Sequence, residues 1–293
     1  MRTEPTGQGI LKNTIMSNQN LHTAERQQRT NSLGRMTTLT LGASACAAAT
    51  ISFQASADVT LELLGTAFGT RQQVAYNTAN LWDQTSSSDT FYQVKTAQYV
   101  WQDLDGSIPG NIQTYCLQLY QGVDIGSTYD FALTPIQDSP TSPPSPGPMG
   151  QQRAEIIQDL YARNIDPVHG GIIDTTDGDV VASALQMVIW EITHERFTAT
   201  TAAGMVTQMA LDMGAFQWNG QGNQSPEIEN EIADAATEMI STLGMGGFQS
   251  ADLVGLTNPE AQDQVMQIPA PAAAWLLTGL LAGGARRRRR TEL

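Results

Sequence analysis

Apolar and polar positions alternate, in part, over Asp58–Ala67 and Phe91–Trp101, which are rich in β-branched and aromatic side chains, so both stretches are expected to be strands. A third is expected over Ile112–Tyr120, with Tyr115, Leu117 and Leu119 on one face and Ile112, Thr114, Cys116 and Gln118 on the other. After a proline-serine stretch at residues 138–150, DSPTSPPSPGPMG, which suits neither a helix nor an inner strand, the period lengthens. Gln151–Arg163 gathers Ile156, Ile157, Leu160 and Tyr161 on one side. Val180–Glu195 places Val181, Ala184, Leu185, Val188, Ile189 and Ile192 at helical spacing. Pro226–Leu243 carries a stripe from Ile228 to Leu243, with Ser225 placed to cap it, Pro226 at its first position and Gly244 to end it. Met205, Met209 and Met213 read as core residues. Strands followed by helices predict an α+β fold, a β-strand-rich N-terminal half packed with a helical C-terminal half. Residues 246–267 read as a linker.

The ends of the chain have a different character. Met36–Phe53 is apolar and small-residue rich, follows Arg26, Arg29 and Arg35, and leads to Ala55-Ser56-Ala57, the pattern of an export signal cut before Asp58. The 35 polar residues ahead of it are long for such a signal, so Met1, Met16 and Met36 are all candidate starts. Cys46 lies inside the apolar run and is discarded with it. Residues 1–57 are thus read as an extended N-terminus with a signal peptide, and 58–267 as the working domain. That domain holds five basic side chains (Arg71, Lys95, Arg153, Arg163 and Arg196) against 26 acidic ones, a net of −21. Such a surface disfavours nucleic acid and anionic lipid as partners.

Residues 268–293 read IPAPAAAWLLTGLLAGGARRRRRTEL. Pro269 and Pro271 bracket Ala270, the run from Ala270 to Ala285 carries no charge, and Arg286, Arg287 and Arg288 open a cluster of five arginines. As a helix at ~1.5 Å per residue the run reaches ~24 Å, short of a ~30 Å hydrocarbon core, which suits transient membrane insertion with the arginines on the cytoplasmic side. This tail resembles the PEP-CTERM sorting signals of Gram-negative bacteria, although the commonest form has Glu where this chain has Ala270. The resemblance implies an exosortase-type sorting enzyme as partner, and a final place at the cell surface or in the extracellular matrix. A plain C-terminal anchor is the other reading of the same residues.

With the signal removed, Cys116 is the only cysteine, in a compartment where cysteines normally pair. An inert buried thiol, an intermolecular disulfide, a nucleophile and half of another covalent bond all remain open. Cys116 sits in Tyr115-Cys116-Leu117. Seventy residues on, Gln186 and Trp190 lie four apart within Leu185-Gln186-Met187-Val188-Ile189-Trp190-Glu191, on one helix face. The pair of motifs resembles the Cys–Gln thioester domains of bacterial surface adhesins. That resemblance implies an internal thioester between Cys116 and Gln186, lying between the strand-rich and helical halves. It also implies covalent attachment to a protein or polysaccharide bearing a nucleophile, above all a lysine amine, with one event per molecule rather than enzymatic turnover. Large neighbours such as Tyr115 and Trp190 would wall the bond from water. The single lysine after residue 57, Lys95, would leave a stored thioester few amines of its own kind to meet.

Two other functions compete. One is a structural matrix protein with the same tail and no thioester. The other is a cysteine hydrolase pairing Cys116 with His169 or His194; no local motif supports it. DTTDGD (residues 174–179) and DLDG (residues 103–106) lack the full spacing of a calcium loop, and the two histidines and one cysteine after residue 57 do not form a zinc pattern, so no metal or other cofactor is expected.

Overall fold

The computed structural model describes residues 58–268, apart from 87, 88, 107, 109, 142–146, 169, 221 and 223. The export signal, His169 and the sorting tail from Pro269 onward, with Pro271, Arg286, Arg287 and Arg288, therefore lie outside the described residues. The elements in chain order are β1 (Asp58–Tyr76), β2 (Tyr92–Asp103), β3 (Asn111–Cys116), β4 (Thr128–Pro135), α1 (Gly150–Asn164), α2 (Gly178–His194), α3 (Ala202–Val206), β5 (Phe216–Trp218), α4 (Pro226–Thr242), β6 (Leu253–Thr257) and β7 (Gln264–Gln267). The fold is α+β, with the strands mainly in the N-terminal half.

All strand pairs are antiparallel, and the pairing closes on itself: β1–β2–β3–β7–β6–β4 and back to β1. Closure removes the exposed edges that an open sheet would carry. β1 makes it possible by serving several neighbours. Its first residues pair with β4, its middle with β2 and its last three with β5. Two register shifts, between Leu63 and Gly65 and between Thr66 and Phe68, bend it between these tasks. Gly69 is obligatory here. Its φ is +127°, and an added Cβ would stand 2.1 Å from the Thr96 carbonyl oxygen.

Paired residues share a side, and the register puts Leu61, Leu63, Trp101, Ile112, Phe131, Leu256 and Met266 on the inward one. Trp101 and Phe131 meet edge to face at 5.4 Å, and both are fully buried. Thr114, Cys116 and Gln264 belong to the same inward set.

From Ala182 onward helix α2 is buried on every side between the strands and α4. Its sheet-facing stripe is polar. Asp179 accepts from the Gly69 amide at 2.8 Å, and Ser183 accepts from the Thr70 amide at 3.0 Å. Gln186 reaches Cys116 at the end of β3. These positions fall at i, i+4 and i+7, one face of a helix, so successive turns of α2 dock on β1 and then β3. The opposite faces are apolar and meet Ile232, Ala236 and Met239 of α4.

Three expectations need correction. Residues 246–267 are not a linker: β6 and β7 lie within them and close the ring. β7 has only four residues, too few for alternation to stand out. The third strand stops at Cys116 instead of continuing to Tyr120, because the chain turns away to bond with the loop before β7. Ser225 does occupy the N-cap of α4, but its side chain makes no capping bond. Met205 and Met209 pack against the core, although α3 ends before Met209.

Candidate functional site

The site begins with a gap in a ladder. β2 pairs with β3 as far as Tyr99 opposite Thr114, and there the pairing ends. On its other side β3 continues, with Cys116 opposite Gln264 and the Leu117 amide donating to the Asp263 carbonyl at 2.8 Å. Successive residues of a strand direct their backbone groups to alternate neighbours, so the N–H and C=O of Cys116 face the place β2 has left. Buried backbone groups require partners. Gln186 supplies both: the Cys116 amide donates to Gln186 Oε1 at 2.9 Å, and Gln186 Nε2 donates to the Cys116 carbonyl at 2.8 Å. One side-chain carboxamide from α2 thus takes the missing rung. The residues separated by seventy positions are brought together, and both are wholly buried.

Two further carboxamides meet the sulfur. Cys116 Sγ donates to Gln262 Oε1 at 2.9 Å, and Gln264 Nε2 donates to Sγ at 3.4 Å. Gln264 is oriented from behind: Trp101 Nε1 donates to Thr114 Oγ1 at 2.8 Å, and Thr114 Oγ1 donates to Gln264 Oε1 at 3.0 Å. Gln262 is fixed by a short bond from its Nε2 to the Gln118 carbonyl. The Tyr99 hydroxyl also bonds to the cysteine. Burial pushes the Cys116 thiol up to about 12, and the bonds from Gln264 and Tyr99 pull the other way. The group is a thiol at neutral pH.

The three amides approach sulfur differently. Gln262 presents a carbonyl lone pair to the S–H, the geometry of a hydrogen bond. Gln186 bonds to the Cys116 N–H and C=O as a ladder partner does, and an amide held in a ladder's plane turns its π-face toward the side on which the strand's side chain stands. Attack by Sγ on the Gln186 Cδ would place negative charge on Oε1, where the Cys116 N–H already donates. The leaving nitrogen is held at the Cys116 carbonyl.

Tyr115 and Trp190 stand apart from the sulfur. Tyr115 points to the opposite face of β3, where its ring meets Tyr161 at 6.4 Å; Trp190 meets Phe216 at 6.3 Å. Both are buried and help enclose the layer around α2. His194 is not a partner of Cys116. Its Nδ1 lies 2.8 Å from Thr193 Oγ1 and 3.2 Å from the Trp190 carbonyl, and burial pushes the ring down to about 3.

The sequence reading missed Tyr99, Thr114, Gln262 and Gln264 as site residues. Gln262 and Gln264 in QDQVMQ do carry a signal: glutamines two apart share a strand face. No family model, no curated protein and no solved structure matches this chain.

Proposed function

We propose that the protein is an exported surface or matrix protein that attaches covalently to amine-bearing targets through a Cys116–Gln186 thioester. The observation that carries this reading is the double bond set between the Gln186 carboxamide and the Cys116 backbone, which holds the amide beside the thiol in a dry site. Thiol and primary amide condense to a thioester and ammonia; the thiol proton leaves with the nitrogen. A target amine then attacks the acyl carbon, forming an amide to Gln186 and returning the Cys116 thiol. The Cys116 N–H serves the oxyanion in both steps. Each molecule acts once, so the protein is a covalent binder rather than an enzyme. Sorting by an exosortase-type enzyme through Pro269, Pro271 and the arginines from Arg286 completes the proposal.

The test is methylamine capture followed by peptide mapping. Addition at residue 186 supports the reading. Addition at Gln262 or Gln264 would assign the bond to another glutamine.

A second reading draws on the same two bonds. Gln186 completes a ladder, and that suffices in a structural matrix protein without a thioester. In that case methylamine adds nowhere.

A further inference from the structure

We propose that a cavity at the C-terminal end of α2 seats a carboxylate of the covalent target, so that the target is a protein segment with an acidic side chain close to its reactive lysine. This rests on the covalent-capture reading above. The cavity has a volume of about 470 Å³, and its lining includes Tyr76, Arg153, Thr193, His194, Glu195 and Arg196.

Its charge is out of keeping with the rest of the domain. Only five basic side chains stand against 26 acidic ones between residues 58 and 267, yet two of the five meet here. Neither is in an ion pair: among the described residues the one salt bridge is Arg163–Asp159. Arg153 is held rigidly, donating to the carbonyls of Ile192, Thr193 and Glu195 at 2.6–2.8 Å, with the Phe197 ring 5.1 Å away. Arg196 uses Nη1 on the carbonyls of Thr78 and Ala79, leaving Nε and Nη2 to donate. The Glu195 carboxylate is occupied by the amides of Ala215 and Arg196. Pre-positioned guanidinium groups whose neighbouring Glu195 carboxylate is already taken up by backbone amides match a second carboxylate, from a ligand.

The cavity is also coupled to the thioester site. Thr193 and His194 are on the helix that carries Gln186. Tyr76 packs at 5.6 Å against Tyr120, in the turn that leaves Cys116. From Gln186 to His194 the helix rises ~12 Å. An extended peptide covers roughly 13 Å in four residues, and residues an even number apart share a face. A glutamate four residues from a lysine therefore covers a length like that from His194, in the cavity wall, to Gln186.

The test uses the full chain and three amines: methylamine, an acetylated peptide with Glu four residues before its single Lys, and the same peptide with Gln replacing Glu. Adducts are followed by intact mass against time. The Glu peptide is expected to add about tenfold faster than the Gln peptide. Arg196→Gln removes that preference, Arg196→Lys restores part of it, and Arg71→Gln, at an exposed cation outside the cavity, keeps it. Methylamine separates the two proposals. If wild type captures none, the covalent reading fails. If it captures methylamine but treats the two peptides alike, or if Arg196→Gln keeps the preference, the carboxylate seat is overturned and the thioester stands. Faster capture of a uronate-bearing amine than of the Glu peptide, dependent on Arg196, would overturn the assignment to protein targets.

Discussion

Helix α2 buries polar groups in two ways. Toward its middle, Gln186 has its amide oxygen and amide nitrogen both bonded to one residue of β3. Within two turns, Glu191 has one oxygen bonded to the Ala210 amide at 3.0 Å and the other without a partner, and His194 Nε2 also has none. Burial, then repulsion from Glu195, raises the Glu191 carboxyl well above its usual range, and burial lowers His194. A neutral carboxamide can complete a ladder at no charging cost. An ionisable group at similar depth is driven to its neutral form. The Gln186 region is therefore set by geometry, and the Glu191–His194 region by pH.

The largest expected effect breaks the first half of that contrast. Gln186→Ala should abolish methylamine capture and orphan two buried backbone groups, at about 2–4 kcal/mol in urea unfolding. Gln186→Glu leaves the side chain that thioester hydrolysis would leave, and should capture nothing.

The second effect sharpens the other half. The unfolded chain protonates His194 below about pH 6.5, whereas the folded protein resists until about 3. The stability from neutral His194 is thus full above about pH 6.5 and is lost as pH falls toward 3. Glu191 has the opposite sign: the folded protein keeps a proton that the unfolded chain releases above about pH 4.5, so it opposes the histidine there. Between about pH 3 and 4.5 the histidine acts without that opposition. Across this window the stability of wild type relative to His194→Asn should fall by about 1.4 kcal/mol per pH unit on acidification. Parallel curves for the two proteins would contradict the assignment.

Gly69→Ala should cost about 1–3 kcal/mol by forcing β1 from β2 and disturbing the Asp179 contact that docks α2. Thr114→Val, which cuts the relay from Trp101 to Gln264, should cost about 1 kcal/mol. An unchanged denaturation midpoint for Thr114→Val would mean that the relay does not support the site.

The long elements were legible because many residues repeat their pattern. α1, α2, α4 and the first two strands start and stop within a few residues of expectation, save that β1 runs on to Tyr76. The candidate pair, Cys116 and Gln186, was readable from the one cysteine beyond residue 57, in a chain whose N-terminus has the pattern of an export signal, and from a helical glutamine with its tryptophan. The surroundings of the sulfur were not. Gln262 and Gln264 come from a short strand far along the chain, and Tyr99 from a strand whose partner could not be known before the ring closed. Nor does periodicity show that the pairing of β2 with β3 stops one rung early, which is why the helix needs a glutamine at residue 186.

The most direct measurement is the intact mass of the full chain, prepared near neutral pH without amines, beside its Cys116→Ala variant. The account predicts a wild-type mass one ammonia below the sequence, a deficit that Cys116→Ala lacks and that methylamine converts to an adduct. A wild-type mass equal to the sequence, with Cys116 titrating as a free thiol in unfolded protein and no hydrolysed Glu at residue 186, would contradict it.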